Sequence, residues 1–273
     1  MNIRVDLFVH GNGLMASAMR AATGVRGAVF AAGISNSLEK DEAKYTREER
    51  ELSEFVRCHS AERIIYFSSF VAAAGETRYA LHKRKMESVI SQGASDFLIL
   101  RLPQVVGPTQ NKTLISYLVQ AARTGETIVI HQRAFRSLVD IDDIGRIISL
   151  LIEKNVTREV LAAGPPNPLP ILEIVEKIET VLGVRINRWL VDDGDRQGAD
   201  LTRMRGLLDS DDPLLTDSYQ SLVLEKYVPG LFADAAHVGS RPVEEDLAPA
   251  VQMPGAETTV SRPTSEKRDY REP

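Results

Sequence analysis

Two side chains of the segment RYALHK, Tyr79 and Lys83, have the types and the spacing needed for proton transfer. Residues four apart on a helix project from one face, one turn apart. A tyrosine normally keeps its proton until about pH 10, and a neighbouring ammonium group favours the phenolate. The spacing therefore predicts that Lys83 lowers the pKa of Tyr79, which makes the phenol a usable proton donor or acceptor. A chance pairing of a tyrosine with a lysine is the alternative.

The strand-like segment RIIYFSSF, which precedes this predicted helix, presents Ser68 and Ser69 at its end. A serine hydroxyl at that place could hydrogen-bond the same carbonyl oxygen that Tyr79 protonates. The alternative is that both hydroxyls satisfy backbone groups at the strand end.

A phosphate-binding turn is indicated near the N-terminus by the segment LFVHGNGLMASAMR. An apolar strand is followed by Gly11, Asn12 and Gly13, and a predicted helix then begins with Leu14 and Met15. Backbone amides at such a helix start favour a pyrophosphate. The next strand-like segment, GAVFAAG, does not end in the acidic residue that usually holds the cofactor ribose.

Short apolar segments alternate with helical patterns through the first half of the chain, which predicts a parallel sheet with helices on both faces. Sites in such sheets lie at the carboxyl ends of the strands. Helices are predicted at about 14–23, 44–59 and 79–92, and a later helix near Asp142, with Asp142 and Asp143 as its N-terminal caps. Three further short strands and two more helices are predicted, one of them ending at Gly183 and the last within 217–232.

The composition narrows the class of protein. The chain has 273 residues and a net charge of −5, which gives no reason to expect nucleic acid or an anionic membrane as a partner. One cysteine, Cys58, and five scattered histidines indicate neither an intrachain disulfide nor a metal site. No segment has the roughly 20 apolar residues needed to span a bilayer, so a cytoplasmic protein is predicted.

Three regions are predicted along the chain. Residues 1–165 form a Rossmann-like domain, with 108–140 contributing to a substrate cap, and residues 166–232 form a small C-terminal substrate region. Residues 233–273 are rich in proline, threonine and mixed charge, which predicts a disordered tail.

The order of these motifs resembles the extended short-chain dehydrogenase/reductase superfamily, in particular its NAD-dependent epimerase/dehydratase members that act on nucleotide sugars. The glycine turn, YFSS, Tyr-x-x-x-Lys, LRLPQVVGP and RSLVDIDDIGRII follow one another as they do in that family, over roughly residues 3–180. The last two motifs are more specific than the glycines.

The resemblance implies roles for individual residues. Tyr79 would be the catalytic acid/base, Ser69 its partner, and Lys83 the residue that orients the nicotinamide ribose and lowers the tyrosine pKa. Arg136 would bind the substrate's diphosphate, and Phe70 would contact the substrate beside Ser69. The residues implied in cofactor binding, besides Tyr79 and Lys83, are Gly11, Asn12, Gly13, Leu14, Met15, Ala32, Gly33, Ser68, Leu102, Pro103 and Val106.

The sequence departs from the family between the first helix and GAVFAAG. Two strands that the family normally has there are absent, including the one that bears the ribose-binding residue. The resemblance therefore implies a nicotinamide cofactor, NAD or NADP, without indicating which. Family members often dimerise through a bundle that includes the Tyr-x-x-x-Lys helix, so a homodimer is a candidate assembly.

The neighbours of Ser69 bear on the reaction. Family dehydratases commonly place an Asp-Glu pair there, whereas this chain has Phe70 and Val71, which cannot move a proton. The leading hypothesis is a nicotinamide-dependent oxidoreductase or epimerase of a nucleotide-linked sugar in polysaccharide or glycoconjugate synthesis. The alternatives are a non-catalytic member that binds a nucleotide or a partner, and a reductase of a non-sugar carbonyl.

Overall fold

A computed structural model, which describes residues 7–109, 113–234 and 251–252, has an α/β fold organised around one parallel sheet. The sheet has the order β1-β2-β3-β4-β9, and all of its strand pairs are parallel. Its strands are β1 (Leu7–His10), β2 (Gly27–Phe30), β3 (Arg63–Ser69), β4 (Asp96–Leu102) and β9 (Glu159–Ala162).

Helices cover both faces of this sheet, as the alternating pattern predicts. The helices of the described residues are α1 (Leu14–Ala21), α2 (Glu42–Cys58), α3 (Arg78–Gly93), α4 (Leu114–Thr124), α5 (Ile141–Glu153), α6 (Ile171–Leu182), α7 (Thr202–Arg205) and α8 (Tyr219–Asp234). Because side chains alternate along a strand, Val29 and Ile65 join the apolar cluster under α1 and α5, whereas Phe30 and Ile64 join the cluster under α2 and α3.

Strand β1 is the edge of the described sheet. Only residues 22–26 separate α1 from β2, so no strand lies between these two elements, as predicted. The outward carbonyls of Val9 and Gly11 instead accept hydrogen bonds from Arg20 Nη2, at 3.3 and 2.5 Å. One arginine thus blocks part of an edge that would otherwise be open to another strand.

Smaller strand pairs lie beyond the carboxyl end of the sheet. β5 (Gln104–Val106) pairs with β8 (Leu138–Asp140), and β7 (Phe135–Arg136) pairs with β10 (Leu169–Pro170). β6 (Ile128–His131) lies between β11 (Arg188–Val191) and β12 (Val251–Gln252).

Helix α8, predicted within 217–232, packs against α4 and α6. Its Tyr227 hydroxyl donates to Asp140 Oδ1 at 2.7 Å, and its Tyr219 hydroxyl donates to Asp143 Oδ2 at 2.7 Å. The division of the chain at residue 165 stays a prediction.

One predicted helix cap is wrong. The N-cap of α5 is Asp140, whose side chain accepts from the Asp142 backbone amide at 2.9 Å, while Asp142 and Asp143 occupy the first turn. Residue 140 ends strand β8 in extended backbone, and an N-cap residue needs that conformation.

The predicted tail, 233–273, lies largely outside the described residues. Within it the structure describes only the end of α8 and strand β12. In the described ranges, no helix is both long and apolar enough to cross a bilayer.

Candidate active site

A cleft of about 280 Å³ opens at the carboxyl ends of the sheet strands, where the sequence predicts the site. The predicted site residues that line it are Gly13, Leu14, Met15, Gly33, Ser68, Ser69, Phe70, Tyr79, Lys83, Leu102, Pro103 and Arg136. The other four, Gly11, Asn12, Ala32 and Val106, do not line it. Val106 packs in the apolar core, and its neighbours Gln104 and Val105 line the cleft instead.

The glycine turn has two glycines with different roles. Gly11 has φ +122°, and a Cβ there would lie 2.6 Å from the Ala31 carbonyl oxygen, so the turn requires glycine. Gly13 is the N-cap of α1, and a Cβ there would meet no atom within 4 Å. The first turn of α1 has neither a capping side chain nor an acidic residue, which leaves its amides available for an anion.

Helix α3 brings Tyr79 and Lys83 to one wall of the cleft. The Thr77 side chain caps the helix by accepting from the Ala80 amide at 3.2 Å, so the helix begins at Arg78, one residue before Tyr79. Both side chains are buried, and Lys83 Nζ lies 5.6 Å from the centre of the Tyr79 ring. A hydrogen bond joins the side chains of Tyr79 and Ser69.

Ser68 and Ser69 are separated by the pleat of β3. Ser68 Oγ donates to Glu87 Oε1 at 2.6 Å, and Glu87 also accepts two hydrogen bonds from Arg101. Ser69 therefore is the serine whose side chain is joined to Tyr79, while the Ser68 hydroxyl serves the buried Glu87–Arg101 pair.

The Lys83 ammonium is held by a residue that the sequence reasoning missed. Lys83 Nζ donates to Glu48 Oε1 at 3.1 Å and to the Tyr66 hydroxyl at 3.0 Å. Glu48 is fully buried, and Lys83 is 2% exposed. The residue pattern of α2 could have indicated that Glu48 is buried. The helix has a buried stripe at helical spacing, made of Tyr45, Leu52, Phe55 and Val56, and Glu48 falls within that stripe.

This pairing reverses the expected titration of Tyr79. Burial raises the pKa of Tyr79 above its ordinary value, the negative charge of Glu48 raises it further, and only the hydrogen bond with Ser69 lowers it. Burial also favours the protonated acid of Glu48, but the charge of Lys83 and hydrogen bonds from His82, Ile34 and Tyr66 hold its pKa at about 2. The predicted lowering of the tyrosine pKa is wrong, because burial of the phenol and the charge of Glu48 both raise it.

Arg136 lies at another part of the cleft wall and is 3% exposed. Its Nη2 donates to Asp195 Oδ1 at 2.8 Å, and its Nη1 donates to the carbonyls of Phe135 and Asp195. Burial lowers the pKa of the Arg136 guanidinium, and the hydrogen bond and charge of Asp195 oppose that shift.

The charged side chains that line the described part of the cleft are both cationic. Among the described residues that line the cleft, Lys83 and Arg136 are the charged side chains, and no carboxylate is present. The described part of the chain also holds no group of three or more His, Cys, Asp or Glu side chains placed to bind a metal ion.

Comparison with known proteins defines the class of protein. The model of the NAD dependent epimerase/dehydratase family matches residues 28–164, which is half of the chain, and the chain therefore belongs to that family. A search among curated proteins finds no match.

Solved structures of similar fold include nucleotide-sugar enzymes. MoeE5 in complex with UDP-glucose and NAD is 18% identical, with a TM-score of 0.66 over 85% of this chain and 100% of that one. UDP-glucose 4-epimerase from Thermotoga maritima is 16% identical, with a TM-score of 0.63 over 77% and 78% of the two chains. dTDP-glucose 4,6-dehydratase from Bacillus anthracis is 18% identical, with a TM-score of 0.59 over 77% and 73%. At these identities the likeness is one of fold.

Proposed function

We propose that this protein uses NAD to reduce or epimerise a nucleotide-linked sugar, in polysaccharide or glycoconjugate synthesis. The observation that carries the proposal is the placement of Ser69, Tyr79 and Lys83 on one wall of a cleft that the start of α1 also lines. When bound, the nicotinamide supplies and accepts the hydride.

The described residues fit the pyrophosphate and nicotinamide parts of the cofactor. The uncapped start of α1 suits the pyrophosphate. Gly13 has no side chain, which leaves room for the pyrophosphate to approach the backbone amides closely. Lys83, Leu102 and Pro103 line the part of the cleft that would hold the nicotinamide ribose and ring. No described strand lies beyond β1 to carry a ribose-binding acid, so the adenosine part would rest on other contacts.

The acid/base work falls to Tyr79. With its pKa raised, the phenol keeps its proton at neutral pH and donates it to an oxygen of the substrate, while the Ser69 hydroxyl orients that oxygen. In epimerisation the phenol would have to accept the proton as well as return it.

The side chains that line the cleft suit a nucleotide-sugar substrate and disfavour a dehydration reaction. Arg136 lines the cleft, and because its Nη1 and Nη2 already donate to Phe135 and Asp195, it would attract a diphosphate mainly through its positive charge. Phe70 and Val71 follow Ser69 and line the cleft, and no described carboxylate does, so the second acid and base of a dehydratase are absent from the described lining.

A second candidate, a non-catalytic nucleotide-binding member, is favoured by one observation. Strand β1 is the edge of the described sheet, so the adenosine side of the fold is reduced. Saturable binding of the cofactor followed by turnover would exclude this candidate.

The deciding experiment is a fluorescence titration of the full chain with NADH and NADPH in two matched variants, Gly13→Asp and Gly13→Asn. Both side chains have room and can cap α1, but only the aspartate repels a pyrophosphate. We expect Gly13→Asp to weaken NADH binding at least about tenfold more than Gly13→Asn, which is about 1.4 kcal/mol. Absence of saturable binding by the wild type up to millimolar concentration would overturn the proposal.

Turnover is then sought with UDP- and dTDP-sugars. Tyr79→Phe should abolish turnover, and the variant should still bind NADH saturably. Arg136→Ala should raise KM for a nucleotide sugar and leave kcat nearly unchanged, whereas a reductase of a small non-sugar carbonyl would hardly respond.

A further inference from the structure

Glu48 is a fully buried carboxylate that the proposed reaction does not use directly. Besides Lys83, it accepts hydrogen bonds from the Ile34 amide at 2.8 Å and the Tyr66 hydroxyl at 2.8 Å, and His82 Nε2 lies 3.0 Å from its Oε2. Four donors from one loop, one strand and one helix thus converge on two oxygens, which offsets the cost of burying the charge.

The Glu48–Lys83 pair reaches the cleft through Lys83. A Cβ on Gly33 would lie 2.7 Å from Glu48 Oε1 and 3.0 Å from Lys83 Nζ, so the backbone after β2 is in close contact with both charges. Gly33 and Lys83 line the cleft, and Glu48 lies directly beneath them.

We propose that Glu48 is a positioning residue for the reaction: it holds the Lys83 ammonium at the cleft wall and balances its charge, so that Tyr79 meets the substrate as a proton donor. This inference rests on the proposed function. It predicts that the proton affinity of Tyr79, which burial already raises, is raised further by a residue of a different helix from the one that carries Tyr79 and Lys83.

The charged and titratable groups around Tyr79 are few. Glu48 and Tyr45 interact with it from α2, and Tyr66 interacts with it from β3. Lys83 lies one turn away on α3. Glu48 is the carboxylate among them. Its removal leaves Glu87 as the carboxylate that still interacts with Lys83, so the ammonium charge is less fully balanced beside the phenol.

The test is an ultraviolet titration of phenolate formation from about pH 7 to about pH 11 in Glu48→Gln. We expect a tyrosine transition within this range that the wild type lacks and that disappears in Glu48→Gln/Tyr79→Phe. The matched control is Glu49→Gln, because Glu49 follows Glu48 directly and pairs with the exposed Lys85, two residues after Lys83. A folded Glu48→Gln protein with an unchanged titration would overturn the inference.

A second measurement needs no substitution at Glu48. In the wild type, Lys83 should react with acetic anhydride at least about tenfold more slowly than Lys85, because a buried amine must first be exposed by local opening. Tyr66→Phe should keep this protection, since Glu48 still holds the ammonium. Equal labelling of the two lysines in the wild type, or loss of protection in Tyr66→Phe, would overturn the inference.

Neither measurement uses cofactor or substrate. If NADH does not bind, the proposed function is wrong. The titration then still tests whether Glu48 affects the pKa of Tyr79. An altered titration together with normal NADH binding supports both.

Discussion

The two sides of the cleft are built by different means. On the α3 side, Tyr79 and Lys83 are held by buried charges and hydroxyls whose partners come from α2 and β3. On the α1 side, the turn depends on backbone conformation at Gly11, and the adjoining sheet edge is covered by the exposed Arg20. The comparison shows that a shortened fold can keep the α3 side of the cleft, because the contacts that hold Tyr79 and Lys83 do not involve the strands that are absent.

The largest effect is expected from breaking the α3 side by Lys83→Met. The substitution leaves the buried Glu48 carboxylate without its cation, and we expect the free energy of unfolding to fall by about 3–5 kcal/mol. Urea denaturation measures this loss. The double variant Glu48→Gln/Lys83→Met should recover most of it, and no recovery would show that the two residues do not act as a pair.

The pH dependence of stability below pH 4.5 tests the α3 side of the cleft without shortening a side chain. The folded pKa of Glu48, about 2, lies below its ordinary value of 4.5, so its contribution is present above pH 4.5 and is lost as the pH falls from 4.5 towards 2. That contribution is on the order of 3 kcal/mol. Across this window the stability difference between wild type and Glu48→Gln, measured by urea denaturation, should shrink, and a constant difference would contradict the assignment.

The α1 side is tested by comparing Gly11→Ala with Gly13→Ala. Gly11 has a positive φ and no room for a Cβ, so the first substitution should cost about 1–3 kcal/mol. Gly13 has room and an ordinary φ of −82°, so the second should change stability by less than about 0.5 kcal/mol. Thermal melting compares the two variants, and equal losses would mean that the turn does not have the described conformation.

The smallest effect on stability is expected from Arg20→Ala. Loss of two exposed hydrogen bonds should cost less than about 1 kcal/mol, but it uncovers the outward carbonyls of β1. We expect the variant to self-associate with rising concentration in light scattering, since a bare edge strand pairs with other strands. Arg57→Ala, which removes an exposed charge from α2, should scatter no more light than the wild type at each concentration.

The local patterns of the sequence determined much of this protein. Strand and helix alternation predicted the parallel sheet, the four-residue spacing placed Tyr79 and Lys83 on one face, and the short link between α1 and β2 revealed the shortened fold. These features can be read because each depends on neighbours within a few residues of the chain.

Only the tertiary structure decided which charge balances Lys83. Helix α2 carries five glutamates, Glu42, Glu48, Glu49, Glu51 and Glu54, and packing of α2 against α3 buries Glu48 among them. The contact joins residues 35 positions apart. Burial of Tyr79 and the charge of Glu48 together raise the pKa of Tyr79, where spacing alone predicted a fall. A pKa depends on every charge and on the solvent around a group, and only the folded chain brings those together.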